Sequence, residues 1–146
     1  LFVNALLIRR CRITADDLVL LPALRVIVRM GAGVDSIDLA ACSRAGITVC
    51  NCPDAWVEEV ADSTWGLILG LLRQTVALSH HANSGEWTSS APLHQMRRLR
   101  GLRLGIVGLG RIGTAVAVRA PAFGITTAFF DPHLPPGTAK VLGIDC

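Results

Sequence analysis

The chain has 146 residues, enough for one domain or for parts of two, and 51% of them are hydrophobic, ample for a packed core. A formal charge of +3, dispersed along the sequence, makes no case for direct nucleic-acid binding, and no apolar run of about 18 residues implies a membrane span. The five cysteines, Cys11, Cys42, Cys50, Cys52 and Cys146, include no Cys-x-x-Cys pair and no zinc-site spacing, so reduced thiols and no metal are expected.

Strand and helix signals alternate from the start. Residues 5–8 read as a core strand entered midway, with neither an initiating methionine nor a charged leader before them, so a piece of a longer protein is expected. Thr14-Ala15-Asp16-Asp17 opens a short helix with Thr14 as N-cap. Residues 25–29 form a second strand that runs into the loop Gly31-Ala32-Gly33. Residues 38–45 form a helix stopped by Gly46, and residues 47–50 a third strand. After Pro53 a single long helix is predicted from residue 57 to about 81, apolar on more than one face and therefore buried between layers or at a subunit contact. His80 and His81 on it have no partner at metal-ligand spacing and read as surface residues. Residues 83–92 are a polar connector, and the basic cluster at 97–103 is read as a solvated helix end rather than a phosphate patch. Such alternation argues for an α/β protein with parallel sheets under covering helices.

The densest signal comes next. Leu102-Arg103-Leu104-Gly105-Ile106-Val107 is a buried-strand run, followed by Gly108-Leu109-Gly110-Arg111-Ile112-Gly113 and an Ala/Val-rich helix start. A further strand over residues 126–130 ends at Asp131, eighteen residues beyond Gly113. Strand, glycine triplet, helix, strand and terminal acid form the dinucleotide-binding fingerprint, far more specific than the triplet alone. In it Gly108 permits the tight turn, Gly110 lets backbone approach a pyrophosphate, and Gly113 lets helix and sheet close up. The helix start then faces the phosphates, and Arg111 there adds a guanidinium. Asp131 accepts the adenosine ribose hydroxyls and repels a 2′-phosphate. At ~4 Å and an effective dielectric of ~20 that repulsion is worth about three decades in affinity, so NAD is expected over NADP. Pro121 falls inside the following helix and predicts its end or a kink near Arg119. Residues 132–137 read as a loop.

Taken in order, Val28-Arg29-Met30-Gly31-Ala32-Gly33-Val34-Asp35, Val49-Cys50-Asn51-Cys52-Pro53, Val57-Glu58-Glu59-Val60-Ala61-Asp62, the glycine triplet and Phe130-Asp131-Pro132 resemble the D-2-hydroxyacid dehydrogenases. The likeness is strongest to their C-terminal-binding-protein branch, NAD-linked transcriptional corepressors, and covers about residues 5–144. It implies a partial flavodoxin-like substrate domain at residues 1–52 and the first half of a Rossmann NAD-binding domain at 53–146. It further implies NAD as cofactor, with Gly108, Gly110, Arg111, Ile112, Gly113 and Asp131 binding it. Gly31, Ala32 and Gly33 would present backbone N–H groups to the carboxylate of a small 2-oxo or 2-hydroxy acid.

A homodimer, transcription-factor partners and a nuclear or cytoplasmic location are also implied. The apolar long helix and residues 87–102 would form the subunit contact, with Trp56, Trp65 and Trp87 as anchors or, alternatively, as internal packing. Three positions depart from the pattern: Val60 where a Thr is common, Ala32 for a Ser, and His133 for an aromatic. The Arg, Glu and His that carry out catalysis in the family match nothing here. No catalytic residue is therefore assigned, and the chain alone is expected to be inactive.

Overall fold

The computed structural model describes residues 2–85 and 93–144, which fall into two compact units, Leu1–Trp56 and Val57–Cys146. In the first unit three parallel strands, β1 (Ala5–Ile8), β2 (Val26–Arg29) and β3 (Thr48–Cys50), lie side by side in that order. Ala5 stands opposite Val26, and Val28 opposite Cys50. Helices α1 (Ala15–Val19) and α2 (Leu39–Arg44) make the two crossovers that parallel neighbours require. Ile8, Leu18, Leu24, Ile27, Ile37, Cys42 and Ile47 form the core, with Ile27 wholly out of solvent. Burying that one side chain contributes about 2 kcal/mol.

Local chemistry explains where these helices start and stop. Thr14 caps α1 through a reciprocal box: its hydroxyl accepts the Asp17 N–H, and the Asp17 carboxylate accepts the Thr14 N–H at 2.8 Å. Asp38 caps α2 by accepting the Ala41 N–H at 2.8 Å. Gly46, with φ of 69°, turns the chain out of it.

The second unit holds a parallel pair, β4 (Arg103–Val107) and β5 (Thr126–Phe130), joined through α5 (Arg111–Ala117). The long helix α3 (Val57–Leu72) packs on α5 around Ala61, Trp65, Ala115, Val116, Ala120 and Ile125. Trp65 is buried, stacks on Phe123 with ring centroids 4.5 Å apart, and donates its indole N–H to the Val116 carbonyl at 3.0 Å. It is an internal core residue and not a subunit anchor. Trp56 is exposed, and Trp87 lies outside the described residues. Arg119 ties the two helices on the outside, pairing with Glu58 and, at 3.3 Å, with Asp62.

Two elements differ from expectation. The single helix from residue 57 to 81 is two, α3 and α4 (Thr75–Asn83), because Gln74 adopts a left-handed conformation with φ of 53°. The ending carbonyls find other donors there: Arg97 N–H bonds the Leu72 carbonyl at 2.9 Å, and the Gln74 side-chain amide bonds the Leu71 carbonyl at 3.0 Å. After the loop at 132–137 a short helix, α6 (Thr138–Leu142), forms between left-handed Gly137 and Gly143. By contrast α5 ends at Ala117, and Pro121 sits in a separate 3-10 turn, Ala120–Phe123, as its ring demands.

Candidate functional site

The fingerprint turn leaves the carboxyl end of β4. Gly108 has φ of 88°, a conformation that side chains resist, and its N–H bonds the Phe130 carbonyl of β5 at 2.9 Å. Gly113 has no room for anything larger, since a Cβ there would strike the carbonyl oxygen of Gly108 and lie 3.4 Å from Ile106 Cγ2. Gly110 is the opposite case: a Cβ there would meet nothing within 4 Å. The backbone at Gly108 and Gly110 therefore faces open space, and a phosphate can approach it closely. Arg111 and Ile112 are exposed at the start of α5, beside this clearing.

Asp131 follows β5 directly and reaches across to the turn. One carboxylate oxygen accepts the Leu109 N–H at 2.8 Å, and the other accepts the His133 N–H at 2.9 Å. These two bonds, that from His133 being the stronger influence, hold the carboxyl below its ordinary pKa. It is a charged acceptor throughout the neutral range, and each oxygen keeps lone-pair capacity for a ligand hydroxyl. Leu109 itself is buried, so the turn is anchored both by packing and by the acid. His133 contributes its backbone N–H to this arrangement.

One cavity, about 360 Å³, lies where α3 meets α4, and two more lie beside β5. The larger, about 420 Å³, is lined by Thr114, Pro121, Gly124, Thr127 and Leu142 among others, and includes no residue of the glycine turn and no charged side chain. The smaller, about 220 Å³, is lined by Phe130, Asp131, Leu134 and Pro136. Of these cavities, only the smallest includes Asp131.

In the first unit the loop Gly31-Ala32-Gly33 begins at the carboxyl end of β2. Gly31 is buried with φ of 142°, its N–H donates to the Arg29 carbonyl at 2.9 Å, and its carbonyl accepts the Cys52 N–H at 3.1 Å. Its N–H is thus already used within the turn, whereas Ala32 and Gly33 have no N–H partner among the described residues. Sequence reasoning passed over Arg29. Its guanidinium folds back over Gly31, donating to the Met30 carbonyl, so that a Cβ on Gly31 would lie 2.5 Å from Nη1. Arg29 Nε is out of solvent with no hydrogen-bond partner, an arrangement that native structures rarely leave unexplained. A cation flanking a glycine loop at a strand's end is the signal that would have found it.

Among the described residues no group of three or more His, Cys, Asp and Glu side chains is arranged to hold a metal ion, and no helix is long and apolar enough to cross a membrane.

Comparison with known proteins places the chain among relatives of one family. The family described as D-isomer specific 2-hydroxyacid dehydrogenase, catalytic domain, matches residues 3–130. C-terminal-binding protein 1 of Caenorhabditis elegans is 41% identical over 98% of this chain and 20% of its own length. A glyoxylate/hydroxypyruvate reductase of Arabidopsis thaliana is 38% identical over 82% of this chain and 37% of its own. Among solved structures, the D-lactate dehydrogenase of Aquifex aeolicus, complexed with NAD and lactic acid, superposes with a TM-score of 0.84 at 27% identity, covering 94% of this chain and 41% of that one. The chain spans less than half the length of each of these relatives.

Proposed function

The chain belongs to the D-isomer specific 2-hydroxyacid dehydrogenase family, and from that premise we propose that the protein it represents is an NAD-dependent oxidoreductase acting on the CH–OH group of small 2-hydroxy acids. The second unit is the first part of its NAD-binding domain, and the first unit is part of its substrate domain. The observation that carries this reading is the bond from Leu109 N–H to Asp131 at 2.8 Å, which sets a charged acceptor against the glycine turn.

NAD supplies the hydride acceptor or donor, and the residues present here bind and orient it. Gly108 and Gly110 leave the turn clear for the pyrophosphate, while the exposed starts of α5 at Arg111 and Ile112 border the same space. Gly113 holds α5 against the turn. Asp131 takes the ribose hydroxyls and excludes a 2′-phosphate, because its carboxyl stays ionised. In the first unit the free N–H groups of Ala32 and Gly33, with Arg29 beside them, grip the substrate carboxylate, for which a bidentate guanidinium is well suited. No described residue is assigned to proton transfer, so the residues named here bind and position.

The resemblance to C-terminal-binding protein 1 supports a second reading, in which the same NAD site governs dimerisation and the docking of transcription factors. A homodimer fits either reading: Leu67, Leu71 and Val76 leave apolar surface exposed where α3 meets α4. Calorimetric titration with NAD and NADP tests the common core. NAD binding tighter by about three decades is expected, and equal affinities overturn the assignment of Asp131. Sedimentation of the protein with and without NAD separates the readings, since a cofactor-dependent dimer favours the regulatory one.

A further inference from the structure

One pair of side chains in the first unit is left unused by the proposed dehydrogenase chemistry. Cys50 closes β3 and Cys52 follows two residues later; both thiols are exposed and free, whereas Cys42 is buried in the core. Asn51, between them, and Cys52 itself hold the glycine loop. Asn51 donates its side-chain amide to the Ala32 carbonyl at 2.7 Å, and Cys52 donates its backbone N–H to the Gly31 carbonyl at 3.1 Å.

We propose that Cys50 and Cys52 are a redox modification site, closed to an intrachain disulfide by a hydroperoxide, and that closure loosens the Gly31-Ala32-Gly33 loop. Two residues of chain separate Cα atoms by at most about 7 Å. A disulfide spans roughly 4.4–6.8 Å, so the pair is within reach once the backbone at Asn51 contracts. That contraction acts on the very N–H and side-chain amide that anchor the loop.

The chemistry balances in two steps. One thiolate attacks an oxygen of hydrogen peroxide; the O–O bond breaks, one water leaves after protonation, and a sulfenic acid remains. The second thiolate attacks that sulfur, the S–O bond breaks, and a second water leaves as the S–S bond forms. Two thiols are oxidised and one peroxide is reduced to two waters.

Trypsin gives a direct test. Cleavage after Arg44 and Arg73 releases a peptide that contains Cys50 and Cys52 and no other cysteine. After mild peroxide treatment and thiol alkylation, that peptide is expected to be unalkylated and two hydrogen atoms lighter than its reduced form. Alkylation of both cysteines, conversion to sulfinic acid, or a cross-link to Cys11, Cys42 or Cys146 overturns the site. Hydrogen exchange at the Cys52 N–H, which bonds the Gly31 carbonyl, is expected to quicken roughly five- to tenfold on oxidation, the loss of about one net hydrogen bond, and Cys50→Ser is expected to abolish the change. Unaltered exchange in a chain proven to carry the disulfide overturns the coupling to the loop. Only the consequence for substrate binding rests on the function proposed above. Both readouts are made without NAD or substrate, so their failure leaves that function standing.

Discussion

Two glycine loops, each at the carboxyl end of a parallel strand, are built on different physics. In the second unit the turn after β4 is defined by what is excluded: Gly113 abuts the Gly108 carbonyl, while Gly110 faces empty space. In the first unit the loop after β2 is defined by what covers it, since the Arg29 guanidinium lies over Gly31 and Asn51 and Cys52 bind its carbonyls. A loop fixed by sterics keeps its sequence spacing and can be read from it. A loop fixed by side chains shows its glycines in the sequence but not the groups that cover them.

Substitutions can break this contrast. Gly113→Ala carries the largest expected effect, because the new methyl must displace backbone and not a flexible side chain. Overpacking of that kind costs roughly 1–3 kcal/mol, and chemical denaturation should show it, together with NAD binding weakened by a hundredfold or more. Asp131→Asn comes next. It removes the charge but keeps an acceptor for Leu109, so NAD affinity should fall about tenfold and the preference of about three decades over NADP, which rests on that charge, should largely vanish.

Acid sharpens the same point. Hydrogen bonds from His133 and Leu109 depress the folded pKa of Asp131, so the stability it contributes is complete above the unfolded value of about 3.9 and disappears as pH falls through the lowered folded value. The stability difference between wild type and Asp131→Ala should therefore be constant from about pH 5 to 8 and close only below about pH 4. A gap that opens or closes near neutrality would refute it. In the first unit, Arg29→Ala should leave NAD affinity unchanged while abolishing protection of the loop by a 2-oxo acid, measured by hydrogen exchange. The smallest effect is Thr14→Ala, which loses the capping box of α1 at a cost of about 1 kcal/mol without touching NAD binding.

Much of the architecture was legible because local rules and packing agree. Thr14 does cap α1, Gly46 does end α2, and α5 does stop short of Pro121. The α/β class and the strand–turn–helix–strand order through Asp131 follow for the same reason. The break at Gln74 was invisible because the apolar pattern resumes at Val76, and one of the two donors that end α3, the Arg97 N–H, lies more than twenty residues away. Trp65 could equally have faced a partner, and only its bond to the Val116 carbonyl and its stacking on Phe123 decide for the interior. Helix α6 was hidden by Pro135-Pro136-Gly137, whose turn chemistry outweighs five following residues. Arg29 was missed because its backward fold over its own loop leaves no periodic mark, although its place between a strand and a glycine loop is visible in the sequence.

The most direct test of the central claim is Gly110→Ala, measured by NAD titration beside thermal unfolding. The added methyl meets no protein atom within 4 Å, so stability should change by no more than about 1 kcal/mol, the scale of an N-cap substitution. The same methyl enters the space assigned to the pyrophosphate, so NAD affinity should fall at least tenfold. Unchanged affinity in a stably folded Gly110→Ala variant would contradict the placement of the dinucleotide at this turn.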